Sequence, residues 1–411
     1  MPQSKKAPLA CNMKMKIRAL ITSAFLSTLL CTNVQALPHL SMDLETGNVL
    51  SSKQAFDPWH PASLTKLMTA YVIFKAIDAG EISGSSPVKV SRNATRQPPS
   101  RVGFRRGRVI TFDNALKLLV IKSANDISVA IAESLSGSTK AFANRMNREA
   151  ARLGMKGSRF VNPHGLHDQR QVTTAHDMAR LVRAIHDEYP QYAHLFRAPS
   201  LSAPQRLKSG KYRQKVHFSY NLLLERFRGG DGFKTGFVCA SGYNFVGAAT
   251  QGGRRIAAIV LGRDGQTSRA VDAAKLITEG FQLPVTHGTP LNTLKANGPV
   301  RSSPTNMRPK VCTEQARANR YEPGAGQAVI KSPWLQTRKI TAKPLLVTFG
   351  GANGPVSNAI EVDAPNRLTK PVRRPNPTTL IITASNDNAP IRGTIIATEN
   401  PVPLPKFRPG G

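Results

Sequence analysis

The sequence predicts an α+β domain in which the two ends of the segment 37–283 meet in one sheet packed by helices. Three observations carry this: β-rich runs flanking a turn at the start, amphipathic helical segments through the middle, and a β-hairpin followed by a helix at the end. At the start, "LPHLSMDLETGNVL" reads as strand, Gly-containing turn and strand. The runs "TAYVIFKAIDAG", "FDNALKLLVIKSANDISVAIAESLSG", "TKAFANRMNREAARLG" and "TAHDMARLVRAIHDEY" repeat apolar residues at helical spacing, with Thr173 or Thr174 placed to cap the last. "GYNFVGAATQGGRRIAAIVLG" sets two β-rich runs about "QGG", a hairpin signature, and "TSRAVDAAKLITEGF" closes as a helix.

The chain has 411 residues, 40% of them apolar, enough for a sizeable core. Its formal charge of +33 attracts polyanions, a class that spans nucleic acid, anionic lipid and anionic cell-wall polymers. The N-terminus narrows that choice. A basic stretch (Lys14, Lys16, Arg18), an apolar run from Ala19 to Cys31 and small residues before Leu37 make residues 1–36 an expected secretory signal peptide cleaved after Ala36. Export turns the charge away from nucleic acid and toward the cell envelope. It also leaves Cys239 and Cys312 as the cysteines of the mature chain, too few for a disulfide framework. Cys239 is expected to be a small buried apolar residue, and whether the two cysteines pair is not legible. From Val285 onward lie 17 of the 30 prolines, with 17 basic residues against 6 acidic ones. Residues 284–411 are therefore expected to be a basic, Pro-rich extension, mostly disordered, with a small β element in "KPLLVTF" or "TTLIITA".

The chemistry concentrates in "HPASLTKLMTAYV", where Ser63 precedes Lys66 by one helical turn at the head of an apolar run. A serine hydroxyl is a poor nucleophile in water, and a neighbouring amine of depressed pKa is one base that activates it. Residues three apart share a helix face, and the free N–H groups at a helix start can stabilise an oxyanion. A second Ser-x-x-Lys, Ser86 to Lys89, runs into "VKVSRN", which reads as strand and turn, so only the first copy opens a helix. Two companions follow: Ser123-Ala124-Asn125 within an apolar helical context, and Lys234-Thr235-Gly236, which occurs once and introduces "GFVCASGYN".

With these three motifs, and with "VGFRRGRVITFDNALKLLVIKSANDISVAIAE", "FVNPHGLH", "TTAHDMARL" and "DGFKTGFVCASGYNFVGAAT", residues 37–283 resemble the D-alanyl-D-alanine carboxypeptidases, low-molecular-mass penicillin-binding proteins of the serine peptidase family S11. The resemblance implies the penicillin-binding-protein/β-lactamase-like transpeptidase fold: a five-stranded antiparallel sheet flanked by helices, plus an all-helical subdomain. It implies Ser63 as nucleophile, Lys66 as general base and Ser123 as proton relay. Asn125, Lys234, Thr235, Gly236 and Phe237 are then substrate-binding, with the N–H groups of Ser63 and Phe237 as oxyanion hole. The expected partners are peptidoglycan stem peptides, β-lactams as inhibitors, and anionic envelope polymers along the basic tail, with no cofactor, metal or nucleic acid. Tyr220 and Phe237 depart from the Arg or His, and the His or Tyr, frequent in relatives. The tail ends in "PVPLPKFRPGG", which cannot form an amphipathic membrane anchor, so a soluble periplasmic or extracytoplasmic enzyme is expected.

Alternatives on the same scaffold are a D,D-endopeptidase acting on muropeptide cross-links and a β-lactamase. Against the latter, no Glu-x-x-x-Asn motif of the kind that holds a deacylating water lies between Asn125 and Lys234. A non-catalytic wall-binding protein would show a broken catalytic set, and the set is whole. His164, His167 and His176 with Asp168 and Asp177 suggest a metal cluster by spacing, but their segment reads as a loop and a helix cap.

Overall fold

The computed structural model describes residues 37–318, 330, 332–336 and 342–357, all within one unit that runs to Asp363. The expected signal peptide and "TTLIITA" lie outside the described residues. The chain begins with β1 (His39–Asp43) and β2 (Asn48–Lys53), then a 3-10 turn (Ala62–Leu64) leading directly into α1 (Thr65–Asp78). A helical lobe follows: β3 (Pro87–Lys89), α2 (Arg92–Thr95), β4 (Val109–Thr111), α3 (Phe112–Val120), α4 (Asn125–Ser136), α5 (Thr139–Arg152), α6 (Ala175–Glu188) and α7 (Ala193–Arg197). The second half comprises β5 (Ser200–Arg206), β6 (Tyr212–Phe218), α8 (Leu223–Arg226), β7 (Gly230–Val238), β8 (Gly242–Gln251), β9 (Arg254–Arg263) and α9 (Gln266–Gln282). Beyond these come β10 (Thr289–Pro290), α10 (Arg308–Val311), α11 (Glu314–Ala318) and β11 (Leu345–Leu346).

The main sheet has the order β10-β2-β1-β9-β8-β7, antiparallel throughout. The implied five strands are β2-β1-β9-β8-β7, and the extension adds the two-residue β10 as a sixth. β1 lies beside β9, so the two ends of the segment meet in one sheet as the sequence predicts. The β8–β9 hairpin turns on Gly252 and Gly253, both at positive φ, the conformation that fits a two-residue hairpin loop. The alanine-rich face of α9 (Ala270, Ala273, Ala274) packs closely against the sheet. Helix α1 is buried on nearly every side, Lys66 included, and is the central strut between sheet and helical lobe.

One sequence expectation needs correction. The apolar run 112–136 is not one helix: α3 ends at Val120 and α4 starts at Asn125. Ser123 takes a left-handed conformation (φ 59°), and the Ala124 N–H reaches back to the Leu118 carbonyl, a helix-ending motif usually signalled by glycine and here formed without one. The extension, expected from 284 to be basic, Pro-rich and mostly disordered, is described only in part, up to 318 and at 330, 332–336 and 342–357. Among the described residues it packs on the body: Leu291, Met307, Val311 and Val347 are buried, and β11 adds in parallel to β5. Cys239, expected as a small buried apolar residue with its pairing left open, is disulfide-bonded to Cys312. A Pro-rich strand needs only a few apolar anchors to lie along a surface, and composition does not register them.

Candidate active site

Ser63 sits in the 3-10 turn ahead of α1, directly after Ala62, which is held at φ 48°. A non-glycine residue pays roughly 1–2 kcal/mol for that conformation, so the surroundings must impose it. They do so from three sides. The Asn244 amide donates to the carbonyls of His60 (2.9 Å) and Pro61 (3.2 Å) while its Oδ1 accepts the Gly262 N–H (2.9 Å). Trp59 pairs with Thr173 through the backbone, and its indole N–H donates to the Ser241 carbonyl (3.0 Å). Behind the turn, Gly165 (φ 86°) lies so close that a Cβ there would stand 1.8 Å from the Ala62 oxygen.

Lys66 projects from the first turn of α1 and is 1% exposed. Its Nζ lies 3.1 Å from Ser63 Oγ, 2.8 Å from Asn125 Oδ1 and 2.7 Å from the His164 carbonyl oxygen. The last two can only accept, so a neutral amine spends its two N–H groups on them and turns its lone pair toward the Ser63 hydroxyl. Burial, reinforced by the Lys234 ammonium, holds Lys66 well below the ordinary lysine range, with Asp126 opposing. The geometry thus favours the protonation state in which the Ser63 O–H donates and Lys66 accepts.

The break between α3 and α4 turns Ser123 out of the helix beside Asn125. The Ser123 hydroxyl has no hydrogen-bond partner among the described residues, whereas Asn125 is fixed at both ends, its Nδ2 donating to the Pro98 carbonyl (3.0 Å). Asp126 ties the 98–104 loop over this corner by accepting the Val102 and Gly103 N–H groups. Next to Ser123, Lys122 shares its surroundings with Lys215 and His217 of β6, and burial together with those cations pushes His217 down to about 4.

The opposite wall is β7, the free end of the main sheet. Gly236 gives close clearance there: a Cβ would meet Pro61 O and Ser63 N at 3.0 Å and Leu64 N at 3.1 Å. Lys234 is 4% exposed and donates to the Thr235 carbonyl (3.1 Å); burial, then the nearby Arg269 guanidinium, pushes it down to about 7. Arg269, buried on α9, donates to the carbonyls of Gly236 and Asn244 and stays cationic at about 10. The Phe237 ring stacks obliquely on Tyr243 at 4.3 Å.

Of the eight candidate residues, Ser63, Lys66 and Asn125 are joined by hydrogen bonds, Gly236 abuts the Ser63 turn and Lys234 acts electrostatically on Lys66, while Ser123, Thr235 and Phe237 stand next to these in the chain. Sequence reading missed Asn244, Arg269, Asp126 and the His164 carbonyl, whose partners are mostly backbone groups that only the folded chain brings near. The spacing-based metal cluster is not assembled: His164 accepts the Leu166 N–H, His176 stacks on Phe56, Asp168 pairs with Arg170, and Asp177 caps Gly157 and Ser158. The second Ser-x-x-Lys lies at β3 and not on a helix.

The sequence profile of the family described as D-alanyl-D-alanine carboxypeptidase matches residues 26–265. The carboxypeptidase DacD of Escherichia coli is 34% identical over 247 residues, covering 59% of this chain and 62% of the relative. DacF of Bacillus subtilis is 31% identical over 246 residues, 60% of this chain and 62% of the relative. Among solved structures, DacD from Francisella tularensis superposes with a TM-score of 0.58 at 29% identity, covering 60% of this chain and 70% of that one. Penicillin-binding protein D2 from Listeria monocytogenes, in its cefotaxime-bound form, superposes with a TM-score of 0.52 at 29% identity, over 60% of this chain and 97% of that one. The fold is that of the penicillin-binding-protein structures it superposes on. The chain belongs to the D-alanyl-D-alanine carboxypeptidase family. It spans about 62% of the length of the curated relatives cited.

Proposed function

We propose that the chain is a serine D-Ala-D-Ala carboxypeptidase that removes the terminal D-Ala of peptidoglycan stem pentapeptides. The observation that carries this reading is the Lys66 amine, buried and held 3.1 Å from Ser63 Oγ with its other neighbours restricted to acceptors. Ser63 Oγ attacks the penultimate D-Ala carbonyl as its proton passes to Lys66, and the N–H groups of Ser63 and Phe237 receive the oxyanion. The proton reaches the leaving D-Ala amine by way of Ser123 and Lys234. The C–N bond breaks, leaving an ester on Ser63 that water then hydrolyses. Lys234 and Thr235 bind the substrate's terminal carboxylate, whose charge drives Lys234, near 7 when the site is empty, back to the ammonium form. Asn125 holds the substrate amide, and the edge of β7 offers backbone groups to an extended peptide.

β-Lactams acylate Ser63 in place of the peptide in this reading, as the cefotaxime-bound relative suggests. The enzyme is exported and acts outside the cytoplasm, a placement supported by the basic and apolar pattern of residues 1–36. Among the described residues no helix is long and apolar enough to cross a membrane. The charge of +33 suits the extension to anionic envelope polymers. The test is to incubate the protein with a purified muropentapeptide and, separately, with cross-linked muropeptide dimers. Release of D-Ala from the first, with the dimers intact, is expected. Cleavage of dimers in preference to pentapeptides would replace the carboxypeptidase reading with the endopeptidase one.

A further inference from the structure

The stretch from Arg301 to Cys312 lies beyond the family match, which ends at 265, yet it grips both walls of the cleft. At one end the Arg301 guanidinium pairs with Asp57 (Nε to Oδ2, 3.1 Å) and its backbone N–H donates to Asp57 Oδ1 (3.2 Å). Asp57 is 2% exposed and stands six residues before Ser63, at the start of the segment that carries Trp59 and the strained Ala62. At the other end, the Met307 N–H donates to the Ala240 carbonyl (3.0 Å), the Met307 side chain is buried, and Cys312 is bonded to Cys239, two residues past Phe237. The extension thus joins the chain that enters the nucleophile turn to the turn that leaves β7. It runs alongside a second tie between the same two segments, the Trp59 indole on the Ser241 carbonyl.

We propose that Arg301 and the Cys239–Cys312 bond are positioning elements for acylation. The strap sets the separation between the Ser63 turn and the β7 edge, hence between the nucleophile and the groups that receive the oxyanion and the carboxylate. Neither residue touches substrate. The clearance at Gly236, where a single added carbon would meet the Ser63 backbone at 3.0 Å, shows how little slack the separation has. The proposal rests on Ser63 as nucleophile, and it makes part of the Pro-rich extension a component of the catalytic body.

The test uses the full chain and a fluorescent penicillin in stopped flow, with the dissociation constant of the initial complex, the acylation rate constant and deacylation measured separately. Wild type is compared oxidised, after phosphine reduction and after reoxidation, beside Cys312→Ser, Arg301→Gln and Arg301→Lys, all checked by near-UV circular dichroism at the assay temperature. The acylation constant is expected to fall about tenfold in the reduced, Cys312→Ser and Arg301→Gln forms with the initial complex little changed, the size of effect a sub-ångström misplacement produces. Reoxidation restores wild type, and Arg301→Lys recovers part of the loss. Should Cys312→Ser not fold, Arg301→Gln carries the test. Unchanged acylation constants in folded variants, or losses that merely track the unfolded fraction, overturn the strap's role while leaving Ser63 in place. Oxidised wild type that is never acylated removes the Ser63 reading and the strap's role together.

Discussion

In the proposed mechanism Lys66 accepts the Ser63 proton only while its amine is neutral, a state favoured by burial and by two further cations rather than by an acid. Burial does most of the work, Lys234 adds repulsion, and Lys234 is itself lowered to about 7 by burial and by Arg269, which stays charged. The sign of each effect can be checked. Removing the Lys234 charge relieves Lys66, whose pKa rises, so in Lys234→Met the acid limb of the acylation profile moves to higher pH. In wild type the limb at alkaline pH reflects Lys234: as it loses its proton above about 7 in the free enzyme, kcat/KM for a carboxylate-bearing substrate declines. Profiles of acylation rate against pH for the two proteins check both signs, and an unmoved acid limb would show that Lys234 does not govern Lys66. These residue types were legible in the sequence because the chemistry dictates them and Lys-Thr-Gly is rare. Asn244 and Arg269 were not, because what they hold are carbonyls of Pro61, Gly236 and Asn244 itself, which no local pattern marks.

The elements matter through their contacts at the cleft. β7 approaches the Ser63 turn so closely that a Cβ at 236 would be crowded, and α3 and α4 are separated at the left-handed Ser123, which sets Asn125 at the head of α4, 2.8 Å from Lys66. Gly236→Ala forces the strand or the turn to give by a few tenths of an ångström. Overpacking of this kind costs about 1–3 kcal/mol of stability, and the displaced edge slows acylation about tenfold; denaturant titration and stopped-flow acylation measure the two effects. Most elements were legible: the hairpin about Gly252 and Gly253, the helix capped by Thr174 and the meeting of chain ends in one sheet follow from periodicity and turn chemistry. The α3–α4 break was not, because the usual glycine signal is absent and the run stays apolar across it. The unusual conformation at Ser123 falls at a proposed site residue, where departures from local preference are expected.

At the scale of the molecule, the sheet, the buried helix α1 and the helical lobe form a frame in which three separated motifs converge, and the extension closes part of that frame from outside. Composition predicted little order beyond residue 284, because proline and charge dominate there. What it could not register is a handful of anchors: β10 on β2, Leu291 beneath His176, Met307 in the core and a disulfide spanning 73 residues. Long-range pairing of two cysteines has no sequence signature of its own. The central claim remains the smallest part of the structure, a serine made nucleophilic by a buried lysine. It is tested most directly by the intact mass of the purified protein during incubation with benzylpenicillin, beside Ser63→Ala. The account predicts a stoichiometric adduct that peptide mapping places on Ser63 and that Ser63→Ala lacks. An adduct elsewhere, or an unmodified protein with the drug intact, would contradict it.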